Sequence, residues 1–313
     1  MPTHDSQRRK LLRLGATAGA AAALAALHPA AHGAPAAPRT RPIPSSGEAL
    51  PLVGLGSWIT FNVGADPALR SECAAVVQAF FAAGGRMIDT SPMYGSSQDV
   101  IGAALRRTGT AQRVFSADKV WLSSGARGPA QIEASRALWG VPRFDLLQVH
   151  NLLSWQDHLA TLRAMKAAGQ LRYIGVTTSE GRRHGEVEHI LRNERIDFVQ
   201  VSYSLRDRRV EERILPLARE RGVAVIVNRP FEEGALLQAL SRHALPPWSA
   251  TELACGSWAQ FALKFVLSHP AVTCAIPATT SVAHVRENLA AAAGTLPDAA
   301  QRERMAAHVA RLP

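Results

Sequence analysis

Asp89 and Tyr94 stand five positions apart in the stretch GGRMIDTSPMYGSSQ (84–98), directly after a short apolar run. Lys119 follows the next such run, in SADKVW, and His150 closes the one after that, in LLQVHN. An unperturbed phenol, with a pKa near ~10, is a poor acid or base at neutral pH. A neighbouring Lys⁺ favours the phenolate and lowers that pKa, while an Asp holds and neutralises the Lys. A histidine at the same place can hydrogen-bond a substrate carbonyl and polarise it. Together the four residues suit protonation of a carbonyl oxygen as hydride is delivered to its carbon.

Something must bring these four side chains together. Past residue 50, short strand-like runs alternate with helical patterns: LVGLGSW (52–58), RMID (86–89), RVFSAD (113–118), FDLLQVH (144–150), RYIGVTT (172–178), FVQVSY (198–203), VAVIVN (223–228) and VTCAIPA (272–278). LRSECAAVVQAFFAAG (69–84) places apolar residues at three- and four-residue steps and ends on glycine; ERILPLARERGV and GSWAQFALKFVLSHP read likewise. Doubly apolar strands alternating with helices predict a parallel sheet. Eight such units suit a closed (β/α)₈ barrel better than an open doubly wound sheet, and no GxGxxG follows the first strand. In a barrel, function collects where strands end, and there stand Asp89, Tyr94, Lys119, His150, Thr177, Thr178, Gln200 and Asn228.

With these flanks the constellation resembles the aldo-keto reductase family. The stretches that carry the resemblance are IPSSGEALPLVGLGSW, GGRMIDTSPMYGSS, SADKVW, LLQVHN, YIGVTTS, FVQVSYS and IPATTSVAHVRENL, in family order from about residue 43 to 290. The resemblance implies a (β/α)₈ barrel, an NADPH-type cofactor bound without a Rossmann domain, NADH being the alternative, and reversible reduction of a small-molecule carbonyl. It makes Tyr94 the proton donor, Lys119 and Asp89 its tuning pair, and His150 the group that orients the carbonyl. It puts Thr177, Thr178 and Gln200 near the nicotinamide carboxamide. It puts Thr279, Thr280, Ser281 and His284 at the 2′-phosphate, and Glu287 and Asn288 at the adenine.

The pattern departs from the family at two places. The seventh strand reads VNRPF, so Asn228 stands where many members stack an aromatic ring, with Arg229 or Phe231 left to cover the cofactor. Ala278 and His284 occupy positions where many members carry Lys and Arg, and Arg286 lies at a different phase of the presumed helix. Trp58 matches a pocket aromatic of the family, and Trp248, in the segment 238–256, is a second candidate for shaping the substrate site. A cofactor-binding sensor of the same fold with little turnover is the alternative function. A two-carboxylate glycosidase would leave Lys119 without a role.

The first residues read as a separate module. Arg8 and Arg9 precede a weakly apolar Ala/Leu run and small residues around Ala31, Gly33 and Ala34, the layout of a twin-arginine export signal. We therefore expect a signal over 1–33, a linker over 34–44, a barrel over 45–313, and a periplasmic or secreted product. The apolar run falls short of the ~20 residues that span a bilayer, so stable insertion is not expected after cleavage, and membrane anchoring is the lesser alternative if the signal stays uncleaved. The net charge is +10, of which Arg8, Arg9, Lys10 and Arg13 against Asp5 supply three units. The other arginines are dispersed and no aromatics are interleaved, which argues against a nucleic-acid site. Cys73, Cys255 and Cys274 are odd in number and lack metal-ligand spacing, so no metal and no disulfide framework is expected.

Overall fold

A computed structural model describes residues 39–312, and the expected signal and the first part of the expected linker, 34–38, lie outside those residues. The first element departs from the linker reading. β1 (Thr40–Pro42) pairs antiparallel with β2 (Ala49–Pro51), closed by a turn whose Gly47 has φ 76°. Three-residue strands leave almost no periodicity to read, which is why the sequence pattern did not reveal this hairpin.

Eight parallel strands follow: β3 (Leu55–Gly56), β4 (Met87–Asp89), β5 (Phe115–Val120), β6 (Phe144–His150), β7 (Leu171–Thr177), β8 (Phe198–Ser202), β9 (Ala224–Asn228) and β10 (Val272–Ala275). They pair in chain order, and bridges from Val53 to Ala275 and from Gly56 to Ala278 join the last strand to the first. The sheet is thus a closed (β/α)₈ barrel, each strand lying where the apolar runs put it. Gly56 permits the closure, because a Cβ there would meet the Ile276 carbonyl oxygen at 2.6 Å.

Two apolar layers hold the barrel. Inside it, Met87, Phe115, Leu146, Tyr173, Phe198, Ile226 and Cys274 fill the lumen, and Ile43 and Leu50 of the hairpin plug its N-terminal end. Outside it, strand residues pack on helices such as Pro67–Ala82, which Asp66 caps by accepting from Ala68 and Leu69 N–H, with Pro67 in the first turn. The three cysteines are free and buried, and act as small core residues. Among the described residues no helix is long and apolar enough to cross a membrane. None of their His, Cys, Asp and Glu side chains cluster as metal ligands.

Candidate active site

The C-terminal ends of the strands converge on a cavity of about 540 Å³. β4 ends on Asp89 and β6 on His150, while Lys119 is the penultimate residue of β5. Strand alternation turns Lys119 inward and its neighbour Asp118 outward. Lys119 is fully buried, and its Nζ donates to Asp89 Oδ1 at 2.5 Å and to the Thr90 carbonyl at 2.7 Å. The other Asp89 oxygen accepts from Gln200 Nε2 at 3.0 Å and from Gln148 Nε2 at 3.2 Å. Tyr94 lies beyond Lys119, whose Nζ is 5.2 Å from the ring centre, and meets the His150 ring edge-on at 5.6 Å.

Electrostatics follow from this burial. Removal from water would lower the Lys119 pKa, but Asp89 and Tyr94 beside it hold the ammonium above its ordinary range. Tyr94 departs from the expectation of a lowered pKa. Burial is the largest influence and raises it; Lys119 pulls it down, Asp89 and Asp118 push it up, and the phenol ends above its ordinary range. Burial, helped by the Lys119 charge, pushes His150 down to about 2, so its imidazole is neutral. Nδ1 of that ring is 2.7 Å from Ser91 Oγ, which also accepts the Met93 N–H. If Ser91 donates to Nδ1, the proton of the neutral ring sits on Nε2, the other nitrogen. Ser91 has no signature in the sequence, because a serine after a strand usually only shapes a turn.

The remaining predicted residues divide into two groups. Trp58, Thr177, Gln200, Asn228, Arg229, Thr279, His284, Glu287 and Asn288 line the cavity together with Asp89, Tyr94 and His150. Thr177 Oγ1 and Asn228 Nδ2 each donate to Gln200 Oε1 at 3.2 Å. Arg229, at φ 50°, is ion-paired to Glu180 at 2.7 Å and Glu233 at 2.9 Å. Four predicted residues do not line the cavity. Thr178 donates its hydroxyl to the Arg182 carbonyl. Ser281 turns back to cap the helix Val282–Ala290. Thr280 borders a separate small hollow beside Phe61 and Leu69. Trp248 packs on Phe261 and His308, with the Arg304 guanidinium 4.0 Å above its ring, because the helix Pro247–Leu253 leans on the C-terminal helix Ala299–Ala310. Arg286 is exposed and also off the cavity.

Phe231, the candidate for covering the cofactor, lines the cavity, which also recruits Ile59, Met93 and Leu237, none of them expected there from the sequence. Ile59 and Met93 sit in loops, where apolar residues carry no periodicity, and Leu237 lies in the short helix Ala235–Leu240 of the connection after β9. The lining gives one end with the Tyr94 phenol and the His150 ring, and another with the Thr279, His284, Glu287 and Asn288 side chains. A dinucleotide fits the donor set, since amide and hydroxyl groups stand near the first end and the N-terminus of the helix Val282–Ala290 stands at the second.

Comparison with known proteins places this geometry. A model of the Aldo/keto reductase family matches residues 52–308. The methylglyoxal reductase YeaE of Escherichia coli is 30% identical over 251 residues, covering 77% of this chain and 85% of that protein. An NADH-specific methylglyoxal reductase of the same organism is 26% identical over 241 residues, covering 66% and 71%. Among solved structures, an aldo-keto reductase from Klebsiella pneumoniae in complex with NADPH is 26% identical. It superposes with a TM-score of 0.72, covering 86% of this chain and 94% of that one.

Proposed function

The chain belongs to the aldo/keto reductase family, and from that premise we propose that it is an NAD(P)H-dependent reductase of small aldehydes and ketones, 2-oxoaldehydes included. The observation that carries the reading is the buried Asp89–Lys119 pair beneath Tyr94, with a neutral His150 beside it, all at one end of a cavity lined for a dinucleotide. The nicotinamide, when bound, supplies hydride to the carbonyl carbon. Thr177, Gln200 and Asn228 offer hydrogen bonds to its carboxamide; Thr279, His284, Glu287 and Asn288 take the adenosine end. His150 donates Nε2–H to the carbonyl oxygen and fixes its position between that nitrogen and the phenol. Tyr94 transfers its hydroxyl proton to the same oxygen, completing the alcohol, and Lys119 stabilises the phenolate left behind. Water at the cavity mouth returns the proton to Tyr94. The names of the curated relatives support the substrate class.

NADPH is the favoured nucleotide. Charge-assisted hydrogen bonds are about twice as strong as neutral ones, and the cavity's adenosine end offers Thr279 and His284 where a lysine or arginine would grip a 2′-phosphate harder. The preference over NADH is therefore modest, ~5- to 30-fold in affinity. Steady-state oxidation of both nucleotides with a panel of methylglyoxal, aliphatic aldehydes and aromatic aldehydes tests the reading. We expect carbonyl-dependent oxidation, faster with NADPH at limiting nucleotide. Tight nucleotide binding with no turnover on any carbonyl would instead favour a sensor.

A further inference from the structure

We propose that the end of the barrel opposite the cavity is a docking face for an anionic lipid bilayer. In a parallel barrel, the turns that lead into the strands all lie at the N-terminal end. Here those turns are basic. Arg106 and Arg107 end the helix before β5, Arg143 immediately precedes β6, Arg195 precedes β8, and Arg219 and Arg221 lead into β9. All six are exposed, and none has an ion-pair partner among the described residues. Carboxylates in the same region are already engaged: Glu48 by Arg86 and Arg172, Asp145 by Arg172, Asp197 by Lys166, and Glu194 by Arg163. Glu220 and Asp298, the latter just past the connection that Lys264 holds at Ala293 and Thr295, remain as opposing charges.

The cavity end is different. There Arg183 pairs with Glu186, Arg206 with Glu232, Arg209 with Asp207 and Arg229 with Glu180 and Glu233. Unpaired Arg127, Arg242 and Arg286 at that end are offset by unpaired Asp66, Asp157, Glu212 and Glu287. The positive charge is therefore polarised along the barrel axis.

Two features favour a bilayer over a soluble polyanion. The hairpin of β1 and β2 plugs this end of the barrel with Ile43 and Leu50, so the arginines ring a closed face and line no groove. The chain also enters the barrel there. Arg39, the first described residue, is exposed, and Arg41 donates to the carbonyls of Leu267 and His269 just before β10. A barrel docked this way turns its cavity mouth to solvent.

Co-sedimentation of the full chain with vesicles tests the proposal. We compare pure phosphatidylcholine with phosphatidylcholine/phosphatidylglycerol, using the wild type and a variant carrying Arg107→Gln, Arg195→Gln, Arg219→Gln and Arg221→Gln. None of these four side chains hydrogen-bonds the barrel or lines the cavity, so thermal unfolding and NADPH-dependent turnover should be unchanged. Each arginine near an anionic surface contributes about 1 kcal/mol, so the variant should bind anionic vesicles roughly 100- to 1000-fold more weakly, and wild-type binding should fall with added salt. Equal wild-type binding to both vesicle types would overturn the proposal. So would a variant that binds like the wild type, which would assign the contact to Arg8–Arg13. Retention on heparin without vesicle binding would overturn it in favour of a soluble polyanion.

Discussion

At the scale of single residues, the two groups proposed to act on the carbonyl have pKa values displaced in opposite directions. Tyr94 is held above the ordinary phenolic range, chiefly by burial, so it keeps its proton through neutral and moderately alkaline pH. His150 is pushed down to about 2, so it is neutral over the same interval and, in the proposed role, would donate to the carbonyl without changing charge. The sign for activity follows. Reduction needs the protonated phenol, whose population is complete below its folded pKa and is lost only as pH rises through it. We therefore expect the turnover of carbonyl reduction to be flat from about pH 6 to about pH 9 and to decline only above ~10, the ordinary phenolic pKa. Measuring turnover at saturating NADPH and carbonyl across that range checks it. A decline between pH 7 and 9 would mean that the Lys119 charge dominates burial and that the phenol ionises near neutrality.

At the scale of elements, the site depends on where β5 sits, because β5 carries Lys119. The strand is clamped from outside by Asp118, which is fully buried. Its Oδ2 accepts from Gln98 and from the Trp139 indole N–H, each at 2.8 Å, and its Oδ1 accepts the Lys119 backbone N–H at 2.7 Å. One carboxylate thus ties the strand to the helices Ser97–Thr108 and Gly128–Trp139. Those helices approach closely at Gly102, where any Cβ would collide with the Leu138 carbonyl. Trp139→Phe keeps an aromatic in place but leaves a buried carboxylate short of one donor. It should cost about 1–3 kcal/mol, read as a lowered denaturant midpoint, with little change in KM for the carbonyl. Unchanged stability would show that Gln98 and the Lys119 N–H suffice.

Much of this arrangement was legible in the sequence, for physical reasons. Doubly buried strands give continuous apolar runs, so FDLLQVH and VAVIVN announced β6 and β9, and the polar residues that end such runs had to face the barrel mouth. Other features left no trace. The hairpin of β1 and β2 is too short to show alternation. Asp118 looked like one more polar residue of SADK, because nothing local says which face of the strand it takes. Ser91 carries no mark of its contact with His150, which lies two strands away. Trp248 was misplaced for a related reason: a tryptophan near prolines in a long connection reads as a pocket wall, while the fold gives it the Arg304 guanidinium and the C-terminal helix instead.

At the scale of the whole molecule, the barrel has two unlike ends. One gathers a cavity, a buried ion pair and matched surface charges; the other is plugged by apolar side chains and ringed by unmatched arginines. At the first end, we propose, Tyr94 passes its proton to a carbonyl oxygen inside the cavity. Tyr94→Phe tests it most directly, since the change removes the hydroxyl and preserves the ring that packs against His150 and Lys119. Mixing wild type and variant, each loaded with NADPH, with methylglyoxal or an aromatic aldehyde in single-turnover experiments reads the chemical step itself. We expect nucleotide binding within about twofold of wild type and a rate lowered by ~10²-fold or more, the size of a lost general acid. A variant that oxidises NADPH at close to the wild-type rate would contradict it, and the proton would have to come from another group at the cavity.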